Sequence, residues 1–296
     1  MILCYHGIAI DNEHEWCPGL YLTEAAFASR LAILNARRYA VLPFAEAVER
    51  LRHRDLPPRA AAITFDDGLY DFQLKAAPLL ERYGFPATVY LTTYYSEFNR
   101  PIFHLVCDYM MWSKRGGVHG GIDLRTPQSR AAELATLEAQ AEREDLSGRD
   151  KDALAADLAR RIGADWDGIL EKRILHLLTT EEATRLSRAG FDFELHTHRH
   201  RTPEDRTLFF RELDDNARVL RSITNRDARH FCYPCGVHHE TYPAWLREWG
   251  ARTAVTTEMG LASADDDTML LPRFCDHSGV TDVEFEAWLS GLMSLR

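Results

Sequence analysis

Short apolar segments alternate with amphipathic helices along most of this chain of 296 residues. The apolar segments predict strands at residues 1–9, 39–43, 60–65, 87–92, 191–195, 231–233 and 252–256. Helices are predicted between them at residues 22–38, 44–53, 71–83, 180–189, 203–223 and 242–249. Strands that alternate with helices pair in parallel and carry the helices outside the sheet. We therefore expect an α/β fold, a distorted (β/α) barrel that is either complete or incomplete.

The alternation is interrupted between about residues 96 and 178. Thr126 and Pro127 are typical of a cap and the first position of a helix, and Leu146-Ser147-Gly148 breaks the helical composition that follows. We interpret this interval as a helical insertion of two surface helices, carried by a single catalytic domain that spans residues 1–296. An insertion of this length either shapes a substrate groove or forms a helical cap with no direct role.

The balance of charges limits the classes of partner. The chain has 35 Lys and Arg residues against 45 Asp and Glu residues, a formal net charge of −10. An acidic surface disfavours nucleic acids and anionic membranes as main partners. No run of about 18 apolar residues is present, so no membrane-spanning helix is expected.

The N-terminal residues and the cysteines bear on the cellular compartment. The first residues, MILCYHGIA, lack the basic segment and the long apolar segment of a secretory leader. We therefore expect a cytoplasmic protein whose cysteines are free thiols. The six cysteines are Cys4, Cys17, Cys107, Cys232, Cys235 and Cys275.

Two adjacent carboxylates, Asp66 and Asp67, follow the apolar strand at 60–65 directly. Such a pair at the end of a buried strand is costly unless a cation is present. A metal ion would bind one carboxylate and leave the other to accept a proton from water. The alternative is a solvated turn, because Asp-Gly is a common turn dipeptide.

Three histidines lie within five residues, immediately after the predicted strand at 191–195. His196 and His200 are four positions apart, with His198 between them, so a helix or a tight loop could direct the outer two at one ion. Neutral imidazole is a preferred ligand of zinc, cobalt and nickel. Two histidines and one aspartate would leave coordination positions for water and substrate.

A third cluster, Phe231-Cys232-Tyr233-Pro234-Cys235-Gly236, consists of a strand followed by a turn. Cys232 and Cys235 have the spacing of a redox pair, and the alternative is a loop at the rim of the sheet. Proline and glycine would make this turn rigid, and its backbone N–H groups could hold an oxyanion.

Together the three clusters resemble the motifs of the polysaccharide deacetylases, carbohydrate esterase family 4. The first family motif, Thr-Phe-Asp-Asp-Gly, stands at 64–68, and the second, His-[Ser/Thr]-x-x-His, stands at 196–200. The third, an aromatic and proline-containing turn that ends in glycine, stands at 231–236. Less specific similarity covers YHGI near the start, ERYGFPATVYL at 81–91 and LLPRF at 270–274. The similarity extends over most of the chain except the insertion.

The resemblance implies a role for each matching residue. Asp66 would be the general base, and the turn at 233–236 would supply an oxyanion donor, the backbone N–H of Cys235. The expected ligands of a divalent metal ion are Asp67, His196 and His200. Zinc is the expected ion, with cobalt and nickel as alternatives.

Two residues of the family pattern are absent at their usual positions, and other residues of this chain must take their roles. The third motif commonly has an arginine where this chain has Cys232, and that arginine braces the catalytic aspartate. We predict that Arg273 takes its place. The family's C-terminal Leu-x-His motif, whose histidine is the general acid, has no clear copy here. Leu3-Cys4-Tyr5-His6 resembles that motif moved to the N-terminus, as in circularly permuted members, so His6 is the predicted general acid and His277 its rival.

The expected activity is hydrolysis of N-acetyl groups on an amino-sugar glycan or glycan precursor. Relatives of the same fold hydrolyse O-acetyl esters or small cyclic amides, and nothing in the sequence separates these substrates. A third hypothesis is a carbohydrate-binding protein with a lost active site, supported only by the cysteine at position 232. The intact aspartates and histidines of the first two motifs argue against it.

Overall fold

The computed structural model describes residues 1–294, and its centre is a ring of seven parallel strands. The strands are, in chain order, β1 Ile2–Tyr5, β2 Gly7–Ile8, β3 Tyr21–Leu22, β4 Ala40–Val41, β5 Ala60–Phe65, β6 Thr88–Leu91, β7 Val118–His119, β8 Ile122–Asp123, β9 Asp192–Leu195, β10 His230–Cys232, β11 Thr253–Met259 and β12 Leu271–Cys275. Around the ring the order is β1-β12-β11-β10-β9-β6-β5, and β5 pairs back with β1. The predicted α/β class and parallel (β/α) barrel are confirmed.

Helices connect the strands and lie against them. They are α1 Glu13–Trp16, α2 Glu24–Ala36, α3 Phe44–Arg52, α4 Ala77–Tyr83, α5 Tyr94–Phe98, α6 Phe103–Ser113, α7 Pro127–Arg143, α8 Gly148–Ile162, α9 Trp166–Lys172, α10 Thr180–Arg188, α11 Arg206–Thr224, α12 Tyr242–Trp249 and α13 Asp282–Leu289. A π-helical turn, Phe72–Ala76, runs into α4, and short 3-10 turns occupy Pro234–Gly236 and Leu292–Ser294. Among residues 1–294, no helix is long and apolar enough to cross a membrane.

Several helix ends follow from local sequence signals. The Thr23 hydroxyl accepts a hydrogen bond from the Ala26 N–H at 3.1 Å and caps α2 as expected. Pro78 lies in the first turn of α4, where its missing N–H costs nothing, and the π-helical turn directly precedes that helix.

The first strand closes the barrel. In β1, Leu3 lies beside Ile63 of β5 on one side and beside Phe274 of β12 on the other. No strand was predicted at β12, because the proline at its second position and the buried arginine at its centre are unlike a strand pattern. The N-terminal strand is therefore held between the strand of the first motif and the last strand of the chain.

Alternate residues of the ring point into the barrel. Tyr90, Cys232, Val255 and Leu271, each from a different strand, form one buried cluster with Phe44 of α3. The opposite faces of the strands pack against the helices in a larger cluster. The barrel interior is therefore a packed core and not a pore.

Five helices, α5 to α9, and the β7–β8 hairpin lie between β6 and α10. The two helices predicted for this interval correspond to α7 and α8, and the other elements were not predicted. Much of α6 is buried, including Val106, Met110 and Met111, so it lacks the polar stripe on which helix prediction depends. These elements share a hydrophobic cluster of their own.

Candidate active site

The three sequence motifs meet at one end of the barrel. Asp66 and Asp67 follow β5, His196 follows β9, the Tyr233–Gly236 turn follows β10, and His6 follows β1. The carboxyl ends of parallel strands lie at the same face of a barrel, which is where such sites assemble. The geometry there defines two groups of side chains, one around each aspartate.

The first group is Asp67, His196 and His200, the three predicted metal ligands, which are called the metal triad below. Asp67 Oδ1 lies 3.1 Å from His196 Nε2 and 3.0 Å from His200 Nε2. One ligand atom from each residue lies within 4.8 Å of the others. Burial alone would raise the pKa of Asp67, but His200 and His196 outweigh it and hold that pKa well below its usual range. The three residues present converging donor atoms at a spacing suited to a single ion.

The orientation of His196 tests whether this triad fits a cation. Its Nδ1 is 2.9 Å from the Cys232 carbonyl oxygen, which can only accept, so Nδ1 carries a proton. In a neutral ring the opposite nitrogen, Nε2, then presents a lone pair towards the Asp67 carboxylate. Two acceptors at 3.1 Å repel each other unless a cation or a proton lies between them. The donor set, two imidazoles and one carboxylate, is that of a catalytic zinc-type site with open positions.

The backbone around the triad is held in an uncommon conformation. Asp67, Thr197 and His200 have positive φ angles of 66°, 61° and 54°. Side chains rarely adopt this left-handed region, so surrounding contacts must hold it in place. Part of the support is local, because the Thr197 hydroxyl accepts a hydrogen bond from the Arg201 N–H at 3.0 Å.

Two buried polar residues of α11 add to that support. The Asn216 carbonyl oxygen accepts the His196 N–H at 2.9 Å, and its amide donates to the Leu91 carbonyl. Glu212 accepts the Arg199 N–H at 2.8 Å and the Arg201 Nε at 2.7 Å. Sequence reasoning missed both residues. The available signal was two polar residues, four positions apart, on the otherwise apolar face of a helix.

The second group is built on the buried ion pair of Asp66 and Arg273. Arg273 Nη1 donates to Asp66 Oδ1 at 2.8 Å and Nη2 donates to Oδ2 at 2.6 Å. The same guanidinium lies 3.3 Å from Cys232 Sγ and 3.1 Å from the Thr64 hydroxyl. Burial would raise the pKa of Asp66, but Arg273, with His6 and His196, lowers it far below its usual value. Asp66 is therefore a carboxylate at neutral pH.

His6 lies beside the same carboxylate. Its Nε2 is 3.7 Å from Asp66 Oδ2, and 17% of its side chain is exposed. His277 follows β12, and its Nδ1 accepts a hydrogen bond from the Gly279 N–H at 3.0 Å. Among residues 1–294, His277 forms no hydrogen bond or ion pair with either aspartate. The structure thus brings His6, and not His277, into contact with Asp66.

The turn after β10 places a free donor at the rim. Cys235 has a φ angle of 55°, and in the described part of the chain its backbone N–H has no hydrogen-bond partner. At Gly236 a Cβ would lie 1.9 Å from the Thr257 hydroxyl oxygen, so only glycine fits there. The Cys235 side chain is exposed and that of Cys232 is buried, and all six cysteines are free thiols in this structure.

Comparisons with known proteins show the family to which the chain belongs. The family model described as polysaccharide deacetylase matches residues 53–254. The protein YxkH of Bacillus subtilis, whose name assigns it provisionally to the polysaccharide deacetylases, is 21% identical over 297 residues, covering 98% of this chain and 76% of its own.

Two solved structures share the fold. The Streptococcus pyogenes deacetylase PplD, solved in complex with acetate, superposes with a TM-score of 0.65 at 18% identity, covering 100% of this chain and 97% of its own. IcaB of Ammonifex degensii gives a TM-score of 0.60 at 16% identity, covering 98% and 95% of the two chains.

Proposed function

The chain belongs to the polysaccharide deacetylase family, and from that premise we propose that it is a metal-dependent hydrolase of the N-acetyl groups of an amino-sugar glycan or glycan precursor. The reaction would convert an acetamide and water into a free amine and acetate. The observation that carries the proposal is the convergence of the metal triad next to the Asp66 carboxylate.

Asp67, His196 and His200 would hold the divalent ion, with zinc expected first and cobalt or nickel as alternatives. When bound, such an ion supplies Lewis acidity, which acidifies water and polarises a carbonyl oxygen. The hydrogen bond from His196 Nδ1 to the Cys232 carbonyl supports this role, because it fixes the ring with Nε2 towards Asp67, where the ion would be held.

Asp66 is proposed as the general base. It lies next to Asp67 in the chain, and its ion pair with Arg273 keeps it ionised and fixes the orientation of its oxygens. An ionised carboxylate accepts the proton that the attacking water loses. Arg273 touches neither water nor substrate in this scheme; it positions Asp66.

Two groups at the rim are proposed for the later steps. The unpaired N–H of Cys235 would donate to the oxyanion that develops on the former carbonyl oxygen. His6, 3.7 Å from Asp66, would donate a proton to the nitrogen of the departing sugar amine. An amine leaves poorly as an anion, so this protonation is required for amides more than for esters.

The direct test is acetate release after metal loading. Protein stripped with a chelator is reloaded with zinc, cobalt or nickel. It is assayed for acetate release from N-acetylglucosamine oligomers and acetylated xylan, and for ring opening of a small cyclic amide. We expect metal-dependent acetate release from the N-acetyl substrates and loss of that release in Asp66→Asn. Release from the ester alone, or hydrolysis of the cyclic amide alone, would replace the proposal by the corresponding alternative. Absence of turnover on every substrate, with metal bound, would favour a carbohydrate-binding role.

A further inference from the structure

The first strand directs two side chains that can bind a metal towards Asp66. β1 pairs with β5 so that Cys4 lies beside Thr64. The Asp66 N–H continues this ladder by donating to the Tyr5 carbonyl oxygen at 2.9 Å. Residues two positions apart in an extended segment point to the same face. Cys4 and His6 therefore both face the carboxylate that follows β5.

The three side chains present a sulfur, a nitrogen and an oxygen close to one another. Cys4 Sγ lies 3.6 Å from Asp66 Oδ2, and His6 Nε2 lies 3.7 Å from the same oxygen. All three ligand atoms lie within 4.8 Å of one another. Around a tetrahedral zinc ion, with bonds of about 2.3 Å to sulfur and about 2.0 Å to nitrogen or oxygen, neighbouring ligand atoms are about 3.3–3.6 Å apart. Cys4 and Asp66 already have that separation, and His6, with 17% of its side chain exposed, can move to complete the set.

The thiol of Cys4 has no part in the proposed reaction. It is buried in the barrel and donates a hydrogen bond to Asp66 Oδ2. An ion bound here would replace the thiol proton, which would be released to solvent as the sulfur becomes a thiolate. The ligands would then be a thiolate, an imidazole and a carboxylate. Thiolate and imidazole together favour zinc and softer ions such as cadmium.

Arg273 limits which ions this group can bind. Its guanidinium donates to both oxygens of Asp66 and neutralises the charge of that carboxylate. Each carboxylate oxygen has two lone pairs, so Oδ2 can bind Arg273 and an ion together. Magnesium and calcium depend on negatively charged oxygen ligands and would find no net charge here. A thiophilic ion gains the thiolate of Cys4 as a second anion, although repulsion by the guanidinium should make binding weaker than at the metal triad.

We propose that Cys4, His6 and Asp66 form a second metal site, which binds a thiophilic divalent ion such as zinc or cadmium and thereby inhibits the hydrolase. The inhibition rests on the proposed function, because Asp66 is the proposed base and His6 the proposed acid. The ion would occupy the carboxylate oxygen that accepts the proton of water and the imidazole nitrogen that protonates the sugar amine. Excess zinc would therefore stop the reaction that zinc at the metal triad supports.

Cadmium reports the second site directly, because a cadmium–thiolate bond absorbs in the ultraviolet and the metal triad contains no sulfur. Chelator-stripped parent protein titrated with cadmium should develop this absorption, and so should His200→Ala, in which the metal triad is damaged. Cys4→Ser, which nearly preserves the size of the side chain, should lose it. Cys17→Ser is the matched control and should keep it, because Cys17 is a partly exposed thiol outside both ligand groups.

His6→Asn tests a second ligand at a partly exposed position, where a substitution does not disturb the core. It should weaken cadmium binding, followed by the same absorption, at least about tenfold, because the loss of even an indirect partner of a metal ligand costs about 10–100-fold in affinity. Thermal unfolding is measured for every variant to show that it is folded. Equal absorption in Cys4→Ser and the parent, or equal cadmium affinity in His6→Asn and the parent, would overturn the site.

Zinc titration of acetate release tests the inhibition. For each protein, activity with a single equivalent of zinc is compared with activity at rising zinc excess. The zinc concentration that halves acetate release should rise at least about tenfold in Cys4→Ser and stay unchanged in Cys17→Ser. Absence of zinc inhibition in the parent, or equal inhibition in Cys4→Ser, would overturn the inhibitory role. Cadmium binding through Cys4 in a protein that releases acetate from no substrate would leave the metal site standing and overturn the proposed function.

Discussion

Arg273 and Asp66 are 207 positions apart in the chain, and they form a buried two-pronged ion pair with donor–acceptor distances of 2.8 and 2.6 Å. The Arg273 guanidinium also lies 3.3 Å from the sulfur of Cys232, the position at which the family's third motif commonly has arginine. A planar guanidinium that donates two parallel hydrogen bonds fixes both oxygens of a carboxylate. In this chain β12 therefore supplies a guanidinium to the space beside the end of β10.

Placing the arginine at position 232, as in the family motif, tests whether Arg273 replaces that arginine. Arg273→Leu should lower kcat/KM by at least about a hundredfold and destabilise the protein by about 3–5 kcal/mol, because Asp66 is left buried without its partner. The double variant Cys232→Arg/Arg273→Leu should regain at least about tenfold in kcat/KM. For the parent and for both variants, kcat/KM and thermal unfolding are measured. A double variant that folds and is no more active than the single variant would contradict the interpretation.

The two adjacent aspartates should have different functions, which substitution of each by asparagine distinguishes. Asp66→Asn should keep the metal and lose about 10²–10⁴-fold in kcat, because an amide is nearly the same shape as the carboxylate but cannot accept the proton. Asp67→Asn is the matched comparison and should lose metal affinity. Metal content and acetate release are measured for both. If Asp66→Asn turned over within a few-fold of the parent, another group would be the base.

The loop after β9 carries His196, His198 and His200. Two of these histidines, His198 and His200, can be compared. His200→Ala should weaken metal binding strongly, because three protein ligands leave no redundancy. His198→Asn should retain the metal, since His198 Nδ1 is bonded to the Thr93 hydroxyl at 2.8 Å and lies outside the triad. Metal stoichiometry and affinity in competition with a chelator report both outcomes. Equal affinity in the parent and in His200→Ala would remove His200 from the ligand set.

The general acid is tested by the leaving group. His6→Ala should greatly reduce hydrolysis of N-acetyl amides and reduce hydrolysis of esters with good leaving groups much less, because those leaving groups need no proton. Metal content should stay unchanged. His277→Ala, on the neighbouring strand end, should have little effect. The reverse result, a silent His6→Ala and an inactive His277→Ala, would transfer the role to His277.

A buried histidine at the opposite end of β10 should make stability depend on pH. Burial lowers the pKa of His230 to about 4, whereas an unfolded chain has a histidine pKa of about 6.5. The unfolded chain therefore binds more protons, and the stabilisation is complete above pH 6.5 and lost as the pH falls to 4. Near pH 5 the loss is about 2 kcal/mol.

This difference is measured by urea unfolding of metal-free protein at pH 5 and pH 7.5. His230→Gln should reduce the fall in unfolding free energy between the two pH values. The exposed His53 gives the control variant His53→Gln, which should leave that fall unchanged. An identical fall in His230→Gln and in the parent would show that His230 is not the titrating group.

Much of the fold and the first two motifs could be predicted because their signals are local. The strand at 60–65 is found at those residues, and helices 22–38 and 242–249 correspond to α2 and α12. In each case an apolar repeat is followed by a polar turn or a cap within a few residues. The two motifs then lie at the carboxyl ends of their strands, and parallel strands bring those ends to one face of the barrel.

The amino-acid sequence by itself determined the alternating elements and the residue types at the ends of β5, β9 and β10. Only the tertiary structure decided what surrounds them: the insertion of β1 between β5 and β12, the approach of Arg273 to Asp66, and the support that α11 gives to the loop after β9. Local patterns report backbone preference and burial, which act over a few residues. Contacts between residues separated by tens to hundreds of positions depend on how the strand order closes and how the helices pack, and no local signal encodes that arrangement.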